Sequence, residues 1–222
     1  GTPMIIEILQ QMLNGLAIGS VYTVIALGLT VVFGILGIAH FAHGSVAMSG
    51  GYLTYLFGER LAIGFFPAMA LAMGVGAVIG LLIERLAYRP VRDAPHINAF
   101  IIALGLTMMV EGINLLAFGA DQVVIQTPYR GVFNIGGVAV AELRLLVILT
   151  ACTLIGVVAL LISRTKTGKS IRAVAQNRAM AKAMGVRTEW IDAMTFGLGS
   201  GVAGVAGVAL SQFARNAIML VG

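Results

Sequence analysis

The chain has 222 residues, 59% of them hydrophobic and 10% charged, with a mean hydropathy of +0.99. Soluble domains sit nearer ~45–50% apolar and ~25% charged, so the composition excludes an ordinary soluble enzyme and indicates a membrane protein. No nucleic-acid partner is expected, because the net charge of +5 is carried by short loops between apolar runs. The lone Cys152 permits neither a disulfide framework nor a cysteine-based metal site.

Gly1 to Pro3 read as a tag remnant, and Met4 to Leu29 as a retained span, since no basic n-region or small-residue cleavage site accompanies it. A crossing helix needs about 20 apolar residues to traverse a core of ~30 Å. The run Ile8 to Gly58 contains no Asp, Glu, Lys or Arg and is long enough for two crossings. Length balance puts the turn between them near Gly28. The second crossing then covers Leu29 to Gly58, with "IAHFAHGS" near its middle among Gly34, Gly37, Gly44, Gly50 and Gly51. This segment reads as a break in a discontinuous helix, and backbone at membrane depth leaves helical geometry only where protein or a water-filled cavity satisfies it.

Leu61 to Ile83, Ile97 to Gly119, Leu145 to Ser163 and Ile191 to Ala214 supply four further spans. The expected fold class is therefore all-α, a polytopic helix bundle of about six crossings in a single transmembrane domain over 1–222. Arg85, Arg89 and Arg92 occupy one connection, and Arg164, Lys166, Lys169, Arg172, Arg178, Lys182 and Arg187 another. Both face the cytoplasm by the positive-inside rule if the amino terminus is outside. The segment 120–144 is then periplasmic, and its "TPYRGVFNIGGVAV" predicts a small hairpin or turn-rich cap.

Within the break, His40 and His43 admit three readings: metal ligands, structural side chains bonded to freed carbonyls, or the lining of a solute path. The metal reading is the weakest, because a zincin-type helix needs histidines four apart with an intervening glutamate. Phe41, Ala42, Gly44, Ser45 and Ser49 share the segment and are candidate pathway residues with the two histidines. Glu111, with Asn114 one turn on, is the other polar feature inside a span. It reads equally as a pathway group or as a buried carboxylate bonded to a neighbouring helix.

"TGKS", Thr167 to Ser170, lacks the glycine that a phosphate-binding loop places five residues before Gly168, since Ser163 stands there. The chain is accordingly expected to be a transport subunit and not an enzyme, with no nucleotide site, cofactor or metal of its own. "GKSIRAVAQNRAMAKAMGV" follows as a short amphipathic helical pattern. Ile171, Val174, Ala175, Met184 and Val186 are expected to face the bundle or a partner, with Lys169, Arg172, Arg178 and Lys182 toward cytosol or anionic membrane lipid. Small-residue pairs Gly15/Gly19, Gly76/Gly80 and Gly197/Gly201, the last extended by Ser200, Ala203, Gly204 and Gly207, mark contact faces within the bundle or with a second subunit.

"GLAIGSVYTVIALGLTVVFGILGIAHFAHGSVAMSGGYL", Gly15 to Leu53, resembles the amino-terminal signature of LivH-type permeases of bacterial branched-chain amino acid ABC importers. The segment Gly168 to Val186 resembles their cytoplasmic loop, and "GLGSGVAGVAGVAL" their next Gly/Ala-rich span. The resemblance implies a coupling loop over 164–190 that docks a cytoplasmic ATPase through Gly168, Lys169, Arg172, Ala173, Asn177, Ala181 and Gly185. It also implies a second, LivM-like permease chain, two ATPase subunits holding ATP and Mg, a periplasmic substrate-binding protein, and residence in the bacterial inner membrane. The implied cargo is a branched-chain or related hydrophobic amino acid, with urea, amides or aromatic acids as neighbouring substrates. A stand-alone channel or facilitator is the alternative class. The family usually carries asparagine where His40 stands, and its members continue through further membrane segments, which are expected to be absent here.

Overall fold

A computed structural model describes residues 2–37, 40–92, 94–119, 131–135 and 138–219. Eight helices dominate: α1 Thr2–Leu36, α2 His43–Tyr55, α3 Phe65–Ile83, α4 His96–Phe118, α5 Glu142–Arg164, α6 Lys166–Gln176, α7 Arg178–Ala183 and α8 Thr188–Met219. A π-helical turn, Leu56–Arg60, continues α2, and another, Glu84–Tyr88, continues α3. One hairpin interrupts the all-α bundle. Strands β1 Val132–Ile135 and β2 Val138–Ala141 pair antiparallel with Phe133 opposite Val140, where a periplasmic hairpin was expected.

Five helices, α1, α3, α4, α5 and α8, are long and apolar enough to cross a membrane. The 13-residue α2 and its 5-residue π turn form a shorter rod, roughly 25 Å long at helical rise. The expected turn near Gly28 is not there. Gly28 lies inside α1, which runs unbroken for 35 residues, and the chain reverses instead at the histidines. Gly37 explains the stop: at φ +63° it adopts the left-handed conformation that closes a helix, and its N–H donates to Phe33 O at 2.8 Å. Length balance failed because α1 is much longer than a ~30 Å core and α2 shorter, a mismatch that tilt and protrusion absorb. Gly28 serves close packing: a Cβ there would lie 2.8 Å from Gly199 O and 2.9 Å from the His43 ring.

The hub of the bundle is α8. Its apolar window is 72% buried, against 17% for the lipid-facing α5. Its sequence accounts for this, since glycines on several faces let other helices approach its backbone. A Cβ on Gly199 would strike Val32 of α1, one on Gly207 would overlap the Ala47 carbonyl of α2, and one on Gly201 would press on Met73 of α3. Without a hydrophobic force between helices in lipid, such close van der Waals contact is what holds them together. Val32, Ala42, Val46, Ala47, Ile83, Tyr88 and Phe196 form the main core at the α1–α2 turn, while Val24, Ala151, Val158, Val202 and Ala206 join α1, α5 and α8.

Both basic connections lie at one end of this bundle, where Arg92 and Arg178 converge on Asp192. The positive-inside rule is the ground on which that basic end is expected to face the cytoplasm.

Candidate functional site

The break residues split between two environments. Gly37 ends α1 and His43 begins α2, with His43 N–H donating to His40 O at 3.0 Å in the tight turn between them. His40 is buried against Phe196, with ring centroids 5.1 Å apart, and its Nδ1 is 2.8 Å from the Tyr88 hydroxyl. His43 donates from Nε2 to Ile25 O, 3.1 Å away on α1. The His40 and His43 rings lie edge to face at 6.2 Å. His40 Nε2 and His43 Nδ1 are buried without a hydrogen-bond partner. Among the described residues, no group of three or more His, Cys, Asp and Glu side chains is placed to hold a metal ion.

The break was expected near the middle of a crossing. It lies instead toward the basic end of the bundle, where His40 meets Tyr88 and Phe196, four residues along the chain from Glu84 and Asp192 respectively. Ala42 is fully buried in the core, whereas Phe41 is exposed and meets Phe100 of α4 edge to face at 5.2 Å. Gly44 is exposed with open space where a Cβ would stand.

The second environment is a polar seam between α2 and α4. The helical spacing of Ser45 and Ser49 puts both hydroxyls on one face of α2, and Glu111 and Asn114 lie one turn apart on α4. Ser45 Oγ donates to Glu111 Oε1 at 2.9 Å, and Asn114 Nδ2 donates to Ser49 Oγ at 2.9 Å. Ser49 Oγ in turn donates to Ser45 O at 2.9 Å. Asn114 and both serines are buried, but Glu111 is exposed at the rim. The seam thus offers one accessible carboxylate backed by oriented hydroxyls, a set able to bind an ammonium group or other hydrogen-bond donor.

At the basic end of the bundle the chain turns sharply from α5 into α6. Thr165 caps α6 by accepting from Gly168 N at 2.9 Å, and Gly168 is forced by proximity, since a Cβ would overlap the Leu161 and Ile162 carbonyls. Asn177 separates α6 from α7 and caps the latter, accepting from Met180 N at 2.9 Å. The predicted single amphipathic segment is therefore two helices. Ile171 and Val174 pack with Ile35 and Ile191, and Val186 is partly buried beside them, as the pattern predicted; Ala181 and Ala173, outside the predicted apolar face, join the same cluster. Ala175 and Met184 do not face the bundle: both are exposed, Met184 at 78%. Arg178 also departs from expectation. It turns inward to Asp192, with Nη2 2.5 Å from Oδ2, while Lys169, Arg172 and Lys182 remain exposed and Arg172 reaches the Ile162 carbonyl.

Sequence reasoning missed the ion network that ties these loops to the bundle. Asp192 bridges Arg178 and Arg92, 2.6 Å away, and Arg92 continues to Glu84 at 2.5 Å. It also missed Tyr88 and Phe196 as partners of His40. Acids at the ends of apolar runs, such as Glu84 and Asp192, were the available signal. Exposed Met180 and Met184, spaced i and i+4 beside Lys182, form an adaptable apolar strip of the kind used at protein contacts.

A family model described as the permease component of the branched-chain amino acid transport system matches residues 11–221. The high-affinity branched-chain amino acid transport permease BraD of Pseudomonas aeruginosa is 34% identical over 95% of this chain and 73% of its own length. The corresponding LivH of Escherichia coli K12 is 32% identical over 92% of this chain and 71% of its own. The inner membrane ABC transporter permease YjfF of the same organism is 28% identical over 90% of this chain and 59% of its own. No solved structure matches. With the family model spanning almost the whole chain, and relatives above 30% identity covered for about seven tenths of their length, this multi-pass membrane protein belongs to the branched-chain amino acid transport permease family.

Proposed function

We propose that the chain is the LivH-type permease subunit of an ABC importer that carries branched-chain or related hydrophobic amino acids across the bacterial inner membrane. The observation that carries this reading is the match to branched-chain amino acid permeases along nearly the full chain. The α2–α4 seam agrees with it chemically: Glu111 supplies an anion for a substrate ammonium group, and exposed Met108 and Leu115, one helical turn either side of it on α4, suit an aliphatic residue. The subunit has no nucleotide site of its own; ATP and Mg are held by two partner ATPases, a periplasmic binding protein delivers the solute, and a second LivM-like permease completes the path.

In this reading α6 and α7 form the coupling element. Lys169, Arg172 and Asn177 present side chains to the ATPase, Gly168 and Ala181 hold the helices against the bundle, Ala173 sits at the edge of contact, and Gly185 at φ +85° turns the chain back to α8. The deciding experiment is uptake of labelled leucine, with urea and an aromatic acid for comparison, into vesicles containing both permeases, the ATPases and the binding protein. ATP-dependent leucine uptake that Glu111→Gln lowers at least tenfold, with insertion unchanged, is expected. Uptake without ATP or ATPases reassigns the chain to the facilitator class, and transport of only another solute changes the substrate.

A further inference from the structure

A groove of about 750 Å³ opens at the basic end of the bundle, between α3 with its extension, the end of α7 and the start of α8. Its apolar lining comes from Leu81, Trp190, Ala193 and Met194. Its rim is cationic, lined by Arg85, Arg89, Lys182 and Arg187.

The charges of this rim are not balanced. The two acids lining it are already engaged, Glu189 by Arg89 and Glu84 by Arg92. Among the described residues, the side chains of Arg85, Lys182 and Arg187 make no ion pair or hydrogen bond, and all three residues are exposed. Three cations whose side chains are unpaired among the described residues therefore line one concavity from three different segments, the α3 extension, α7 and the loop before α8.

We propose that this groove binds the phosphate headgroup of an anionic phospholipid of the cytoplasmic leaflet, with an acyl chain along Leu81, Trp190 and Met194. Arg offers a planar fork matched to phosphate oxygens, and Lys a mobile point charge beside it. Tryptophan at a bilayer interface places its apolar ring toward the chains and its N–H toward the headgroups. Leu82 of α3 and Leu86 of its extension, neighbours in sequence of the lining residues Leu81 and Arg85, are exposed and apolar, a surface suited to acyl chains. A soluble acidic peptide would need polar walls below the rim, where the groove has Leu81, Ala193 and Met194. The inference depends only on this end being cytoplasmic and holds whichever solute is carried.

Trp190 is the only tryptophan in the chain, which makes it a built-in reporter. The full chain is reconstituted in nanodiscs of phosphatidylcholine containing either brominated phosphatidylglycerol or brominated phosphatidylcholine, and Trp190 quenching is titrated against the brominated lipid. Each Lys or Arg near an anionic surface contributes roughly fivefold in affinity, so phosphatidylglycerol is expected to quench at least fivefold more effectively than phosphatidylcholine. Arg85→Gln is expected to lower that preference several-fold, and Arg85→Gln/Lys182→Gln/Arg187→Gln to abolish it, whereas Arg164→Gln, outside the groove, leaves it intact. Equal quenching by the two lipids in the unaltered chain overturns the proposal without any variant. So does an equal loss with Arg164→Gln, which would mean general surface potential, or loss of ATPase co-purification by Arg85→Gln, a position outside α6 and α7, which would assign the groove to a protein partner. Displacement of the lipid by millimolar inorganic phosphate would likewise overturn it in favour of a free anion site.

Discussion

Asp192→Asn removes the charge at the centre of the ion network that joins Glu84, Arg92 and Arg178. Asp192 is fully buried and accepts from Arg178 through both carboxylate oxygens, while Oδ2 also contacts Arg92. Two acids and two guanidiniums balance in the native cluster, and the substitution leaves one surplus positive charge. Breaking a buried pair costs about 3–5 kcal/mol because the remaining charge is uncompensated. Here the cost is smaller: Arg178 retains 34% side-chain exposure and can turn to water, and Arg92 keeps Glu84. We expect a loss of roughly 2–3 kcal/mol, equivalent to a fall of about 4–12 °C in Tm for a chain of this size. The assay is the temperature dependence of the monodisperse peak in detergent, with limited trypsinolysis at the α7 connection as a local probe. Arg178→Gln in the same chain should recover part of the loss, with a coupling energy of about 1–2 kcal/mol in the double-mutant cycle. A shift under 2 °C, or strictly additive single effects, would refute the idea that this network fastens α7 to α8.

Three further outcomes test other parts of the structure. Tyr88→Phe deletes the one polar partner of His40 and leaves a second ring nitrogen unsatisfied, so stability should fall by about 1–3 kcal/mol; a neutral effect in thermal unfolding would mean that the turn does not depend on this bond. Gly50→Ala places a methyl against the Gly204 backbone and should cost about 1–3 kcal/mol, whereas Gly105→Ala, with open space around it, should be neutral or gain up to about 1 kcal/mol from helix propensity. Equal effects in the same thermal assay would dismiss α2–α8 close packing. Arg172→Glu reverses a charge on the exposed face of α6 and should lower ATPase co-purification at least fivefold with membrane insertion intact, and unchanged recovery would count against the coupling assignment.

Much of this architecture could be read before any coordinates. Four spans and the two basic connections followed from hydropathy and charge, because lipid rejects charge and the bundle cannot hide it cheaply. The hairpin was legible from Pro, Gly and alternating apolar residues. The site was only partly so. Ser45, Ser49, Glu111 and Asn114 were each singled out, but their pairing is 65 or 66 residues apart in the chain and depends on how α2 leans on α4.

What required the tertiary structure was the meaning of residues with two physical uses. Glycine permits a turn and permits close approach: in an uncharged run, nothing local separates Gly28, packed against Gly199, from Gly37, whose φ of +63° ends α1. Arginine can face cytosol or pair with a buried acid, and only the position of Asp192 turned Arg178 inward. Hydropathy and charge count crossings and orient them because each residue feels the bilayer directly. The reversal point, the histidine contacts and the ion network arise from contacts between distant segments, which a linear pattern does not contain.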